Sequence, residues 1–147
     1  MESHPCMKCG CDAFVTDHGP APFAVNITCA ARQNQNFRAA LWTGCHLQMT
    51  LMDIPPCCDI GLEMHSDTDQ FIRVESGQGL VFVGTCKEKL DFQCCLNTGD
   101  GIFVPAGAWH NVCNTGNCPL KISSIYAPPH HPKGTVHCTK ADAAKKD

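Results

Sequence analysis

The sequence predicts an all-β domain, and three observations carry the prediction. Apolar runs of strand length recur along the chain, residues that favour turns separate them, and hardly any segment has helical period. Repetition about every ten residues from 22 to 129 suits a sandwich or barrel of short strands.

The expected strands follow in order. "FAVNIT" comes first, then "FRAALWTG" and "HLQMTLMDI", the last stopped by "PPCC". "IGLEMH" ends at "SDTD", "QFIRVES" at "GQG", and "GLVFVG" precedes "LDFQCCL", which stops at "NTGDG". "DGIFVPAG" turns through "PAGAW" into "HNVCNTG", and "NTGNCP" leads to "LKISSIYA". The separators hold the Gly, Pro, Asn and Asp that tight turns require. Residues 1–21 and 130–147 are expected to be arms around a domain spanning 22–129, with "TKADAAKKD" as a frayed tail.

A chain of 147 residues supports one core that buries roughly two-thirds of its unfolded surface. Eleven Lys and Arg against fourteen Asp and Glu give a net charge of −3 without a long basic block, which argues against a nucleic-acid partner. No run approaches the length of a membrane span, and "MESHPCMKCGCDAF" lacks the charged start and apolar centre of an export signal. A cytoplasmic protein is expected.

Thirteen cysteines would suggest a disulfide framework in a secreted miniprotein. Here the count is odd, adjacent pairs such as Cys57-Cys58 and Cys94-Cys95 are awkward to bridge, and the chain is long enough to hold itself by burial. Reduced thiols are expected. Cys6, Cys9 and Cys11 with His4 resemble half of a zinc knuckle, but no second half follows, so these too read as ordinary thiols.

The stretch "GLEMHSDTDQFIRVESGQG" carries the chemistry. On a strand Glu63 and His65 project to one face, with Leu62 and Met64 on the other. After the turn, parity places Gln70 beside Ile72 and Val74, an inward amide that needs a partner to offset a desolvation cost of about 1–3 kcal/mol. One bound cation would satisfy Glu63, His65 and Gln70 together. Imidazole, carboxylate and amide ligands suit Fe(II), Mn(II), Ni(II) or Zn(II), whereas thiolate sites take copper or iron-sulfur groups. Further on, "GDGIFVPAGAWHN" puts His110 directly after a rigid Pro-x-Gly turn, so its backbone is fixed before any ligand arrives. The competing reading makes His65 and His110 hydrogen-bonded interior histidines and Gln70 a donor that orients Glu63.

Residues 99–114 run Gly99, Pro105, Gly107, His110, Asn114 with the spacing of the second cupin motif. The first cupin motif, Gly, His-x-His, Glu, Gly, resembles Glu63-x-His65, Gln70 and Gly77 in spacing, with Glu for the first His, Gln for the Glu, and the leading glycine displaced to Gly61. The chain thus resembles a small single-domain cupin over roughly residues 40–126, and its wider pattern is similar to a bacterial group carrying a mannose-6-phosphate isomerase-like label. The resemblance implies a double-stranded β-helix, a cupin jelly roll, in which Glu63, His65, Gln70 and His110 surround one divalent metal ion.

Three functions compete on this reading. The first is an isomerase, epimerase or lyase acting on a carbohydrate-like small molecule, with Glu63 as the catalytic carboxylate. The second is a non-haem Fe(II) dioxygenase using the two histidines and Glu63, and the third a sensor without turnover. Thirteen cysteines and five methionines are oxidisable company for an iron-oxygen site, which favours the redox-neutral reading. The expected partners are a small-molecule substrate and, as a homodimer, a second copy of the chain. Leu62, Met64 and Phe71, on the faces away from the metal, are candidates for a dimer seam or for contact with the second sheet. His130, His131 and His137 lie in a Pro-rich segment that folds over the barrel mouth, reaches a neighbouring subunit, or stays solvated.

Overall fold

A computed structural model describes residues 16–145 as two facing antiparallel sheets. In chain order the elements are α1 (Ile27–Gln33), β1 (Arg38–Thr43), β2 (Gln48–Ile54), β3 (Glu63–Met64), β4 (Asp69–Ser76) and β5 (Gln78–Gly84). They continue with β6 (Phe92–Asn97), β7 (Gly101–Val104), β8 (Trp109–Asn114), β9 (Leu120–Ala127), β10 (Val136–His137) and α2 (Lys140–Ala144). One sheet has six strands in the order β10-β1-β2-β9-β4-β7, and the other has four in the order β3-β8-β5-β6. This is the double-stranded β-helix that the sequence motifs imply.

Alternation within strands builds the interior. Ile54 pairs across with Leu120, and Met52 and Val74 both flank Ile122, so three central strands send apolar side chains inward in register. From the facing sheet Val81 and Val112 pair and meet them, all within one buried cluster. Each fully buried aliphatic side chain of this kind contributes about 1.5–3 kcal/mol. Along the same inward faces the layers then change character. Thr50 and Ile72 flank Ser124, and in the next layer Gln48 and Gln70 flank Tyr126. All six are buried.

Residues 27–33, the first two of which the sequence reading assigns to the strand "FAVNIT", are helical. Asn26 caps the helix by accepting a hydrogen bond from the Cys29 amide at 2.9 Å, and Ala30, Ala31, Arg32 and Gln33 then favour helix. Alternation over six residues cannot reveal a cap whose helix lies downstream. The helix lies across β4, β9 and β2, and Ala31 packs with Leu41 and Leu51 on the outer face. That cover explains why both faces of β2 are apolar near Leu51.

Two short regular pieces lie within the segment expected to be irregular. β10 pairs with β1 through Arg38 and His137, and α2 begins at a reciprocal capping box between Thr139 and Asp142. At the other end, the Asp17 carboxylate accepts from Thr43 Oγ1 at 2.5 Å, from the Gly19 amide at 3.0 Å and from the Gly134 amide at 2.9 Å. It clasps the N-terminal arm to the C-terminal segment. Cys6, Cys9, Cys11 and His4 lie outside the described residues. All ten described cysteines are free thiols, and no described helix is long and apolar enough to cross a membrane.

Candidate metal centre

Strand pairing brings the candidate ligands together. Glu63 on β3 sits directly opposite His110 on β8, so cross-strand register alone places their side chains side by side. His65 follows one residue beyond β3, with its carbonyl accepting from the Gly107 amide at 2.7 Å. Gly107 belongs to a turn closed from the Ala108 amide to the Pro105 carbonyl at 3.1 Å, and its φ of 84° is the left-handed value that the third position of a type II turn demands. Asp69 holds the same turn by accepting from the Ala106 amide at 2.9 Å. The predicted parity holds too: Leu62 and Met64 are 42% and 37% exposed, while His65 is buried.

Three ligand atoms converge. Glu63 Oε2 lies 3.3 Å from His65 Nε2 and 3.9 Å from His110 Nε2, and these atoms all fall within 4.8 Å of one another. None has an aligned hydrogen-bond partner, although all are buried. Buried polar atoms are almost always satisfied, and three orphans at one point are an arrangement that one cation would satisfy. The tautomer agrees, because His110 Nδ1 stands 3.1 Å from the Ala108 carbonyl, which only accepts. The proton therefore sits on Nδ1, and Nε2 presents a lone pair. Burial also holds the His110 pKa below its ordinary value, keeping the ring neutral. The donor set fits a divalent ion of the first transition row, which His65, His110 and Glu63 would hold.

Gln70 projects inward from β4 in the facing sheet, 4% exposed, with Oε1 buried and without a hydrogen-bond partner. Asn114, the last residue of the second motif, is structural. Its amide donates to the carbonyls of Ile54 at 2.9 Å and Cys118 at 2.8 Å and accepts from the Gly116 amide.

The sequence reading overlooked Arg38. It is 3% exposed, and it donates from Nη2 to Glu63 Oε1 at 3.2 Å and from Nη1 to His137 Nδ1 at 3.4 Å. The signal available was an arginine at the inward parity of β1, beside Ala40, which demands a buried partner. Burial opposes ionisation of Glu63, but the His65 contact and the Arg38 charge outweigh it and hold the carboxyl below the usual range. Glu63 is thus divided, with one oxygen turned to the histidines and the other to Arg38.

The C-terminal segment folds over the mouth. Gln48, fully buried, accepts from the His130 and His131 amides at 3.2 and 2.9 Å and donates to the His131 carbonyl at 2.9 Å. This clamp sets the His130 ring 4.0 Å from His65 and the His131 ring 5.1 Å from Tyr126. Burial, aided by the Arg38 charge, pushes His131 down to about 3, so it is a neutral ring. Burial pushes the Tyr126 hydroxyl up to about 12; it faces Thr50 and Arg38 but is aligned with neither. The triad lies beside a cavity of about 510 Å³ walled by Arg38, His130, His131, His137 and Lys140. Leu62 and Met64 lie at this mouth, whereas Phe71 packs on Phe103 at 4.7 Å on the outer face of the other sheet. Met64 and Phe71 lie on different sheets.

Fold and site together define the class: a double-stranded β-helix with a buried cluster of two histidines and one carboxylate. The chain belongs to the Cupin domain family, whose model matches residues 50–126. It is 59% identical over 130 residues to the uncharacterized protein YrkC of Bacillus subtilis strain 168, covering 88% of this chain and 70% of that one. It is also 59% identical to a Bacillus halodurans protein of known crystal structure, with a TM-score of 0.88 over 89% of this chain and 99% of that one. At 23% identity, the oxalate decarboxylase of Bacillus subtilis shares the fold, with a TM-score of 0.54 over 59% of this chain and 23% of that one.

Proposed function

We propose that the protein is a metal-dependent enzyme of the isomerase, epimerase or lyase type, acting on a small carbohydrate-like molecule. The observation that carries this reading is the convergence of three orphaned ligand atoms of Glu63, His65 and His110 beside a cavity large enough for a substrate. Gln70, with its unpartnered Oε1 in the facing sheet, is the proposed fourth ligand. A bound divalent ion supplies Lewis acidity toward a substrate carbonyl. Glu63 stays ionised at neutral pH and accepts a proton at its carboxylate, while Arg38 fixes its orientation. The His130–His131 segment, latched by Gln48, covers the mouth and limits water.

The mannose-6-phosphate isomerase-like resemblance supports a sugar or sugar-derived substrate. A protein of similar fold has Mn(II) centres, which makes Mn(II) the first ion to test, ahead of Fe, Ni and Zn. We read the protein as cytoplasmic, which its free thiols support, and as a homodimer.

The two-histidine, one-carboxylate set also favours a second reading as a non-haem Fe(II) dioxygenase. Against it, Met52 Sδ lies 3.9 Å from Arg38 Nη2 and Met64 lines the cavity, so thioethers adjoin the site. The test is elemental analysis of protein purified without chelator, followed by an anaerobic NMR screen of sugars, sugar phosphates and uronates. Substrate-dependent oxygen uptake by the Fe(II) form, abolished in His65→Ala, overturns the redox-neutral reading. Silence in both screens with metal bound replaces it with a sensor.

A further inference from the structure

The charges around the triad do not leave a divalent ion neutralised. Among the described residues that line the cavity Glu63 is the sole carboxylate, and its Oε1 already accepts from Arg38 at 3.2 Å. Arg38 cannot lose its proton, and its other terminal nitrogen turns to His137 at 3.4 Å, a ring rather than a second carboxylate. At the outer rim Asp59 is likewise engaged, by Lys140 and by Asn111 Nδ2. Glu63 and Arg38 cancel, so an ion held by Glu63, His65 and His110 keeps both of its positive charges. In a buried site such an excess is costly unless an anion joins it.

We propose that the cavity takes a carboxylate on a short carbon skeleton, whose anionic oxygen completes the charge of the ion, and that Arg38 is the positioning residue that creates this requirement by neutralising Glu63. The inference rests on the metal-centre reading above and narrows its substrate to an acid. The carbon skeleton is asked for by the walls: Ile60, Leu62, Met64, Ala143 and Ala144 line the cavity and offer apolar surface that inorganic phosphate cannot cover. Arg38 Nε, buried and without a partner, is a further donor on the same side.

The test is calorimetry on the full chain, first with Mn(II) alone and then, on the Mn(II)-loaded protein, with pyruvate, its neutral amide and inorganic phosphate. Pyruvate should bind at least about tenfold more tightly than either comparison. Arg38→Gln should tighten Mn(II) while bringing the pyruvate-to-amide ratio toward one, and Arg38→Lys should keep the ratio. Equal binding of pyruvate and its amide overturns the inference while leaving the metal centre standing, and so does tighter binding of phosphate. Weaker Mn(II) binding in Arg38→Gln with the ratio intact reduces Arg38 to a structural support and overturns its assigned role. Absence of heat with Mn(II) and with Fe(II), Ni(II) and Zn(II), before any acid is added, overturns the metal reading itself and this inference with it.

Discussion

The two ends of the barrel are built on the same strands yet do opposite things. Toward one end β2, β4 and β9 point Ile54, Val74, Leu120 and Ile122 inward into the apolar cluster. Toward the other they point Gln48, Thr50, Gln70, Ser124 and Tyr126 to the same side, and several of their polar atoms lack partners. Parity is identical throughout, so the backbone does not distinguish the ends. The difference is residue choice, layer by layer: one end supplies burial energy, and the other leaves it unspent as unsatisfied polar groups poised for a ligand.

The sharpest way to break this division is to damage the dry end and ask whether the wet end notices. Ile54→Ala, at a fully buried position, should cost about 3 kcal/mol by denaturant unfolding, with metal stoichiometry per folded molecule unchanged. Lost metal binding in the folded fraction would show that the ends are not independent. The converse, His110→Ala, should lower metal affinity by at least about a hundredfold, near 3 kcal/mol. The metal-free protein should also lose about 1–3 kcal/mol, because the ring is fully buried and its Nδ1–H donates to the Ala108 carbonyl.

Gln70→Leu tests the polar layer more finely. Replacing a buried amide whose Oε1 lacks a partner with an apolar side chain of similar size should raise metal-free stability by about 1 kcal/mol while weakening the metal. The smallest effect concerns the Asp17 clasp at the open end. Partial burial pushes its pKa up, but hydrogen bonds from Thr43, Gly134 and Gly19 outweigh this and leave it below the usual value of 3.8. A depressed folded-state pKa means stability present above the unfolded value and lost as pH falls through the folded one. Asp17→Asn should therefore be less stable than the parent by about 1 kcal/mol at pH 7. Unfolding curves should show the gap closing below about pH 4.

The comparison also explains what could be read in advance. Nine of the strands, the shared face of Glu63 and His65, and the turn before His110 follow from alternation and turn chemistry, which act within a few residues. Helix α1 was hidden because its cap, Asn26, sits inside an alternating stretch. Arg38 was hidden because its partner is 25 residues away in the other sheet. Gln48 likewise reads as one polar residue in an apolar strand until the backbone of His131, 83 residues on, arrives to meet it.

The position of β9 has a consequence for biosynthesis. It lies between β2 and β4, so those two earlier strands never pair with each other. A polypeptide leaving the ribosome amino end first has Glu63, His65 and His110 by residue 110 but lacks the central plank of the larger sheet until residue 127 emerges. The smaller sheet thus has all four of its strands by residue 114, and the larger one closes last, through pairings distant in sequence.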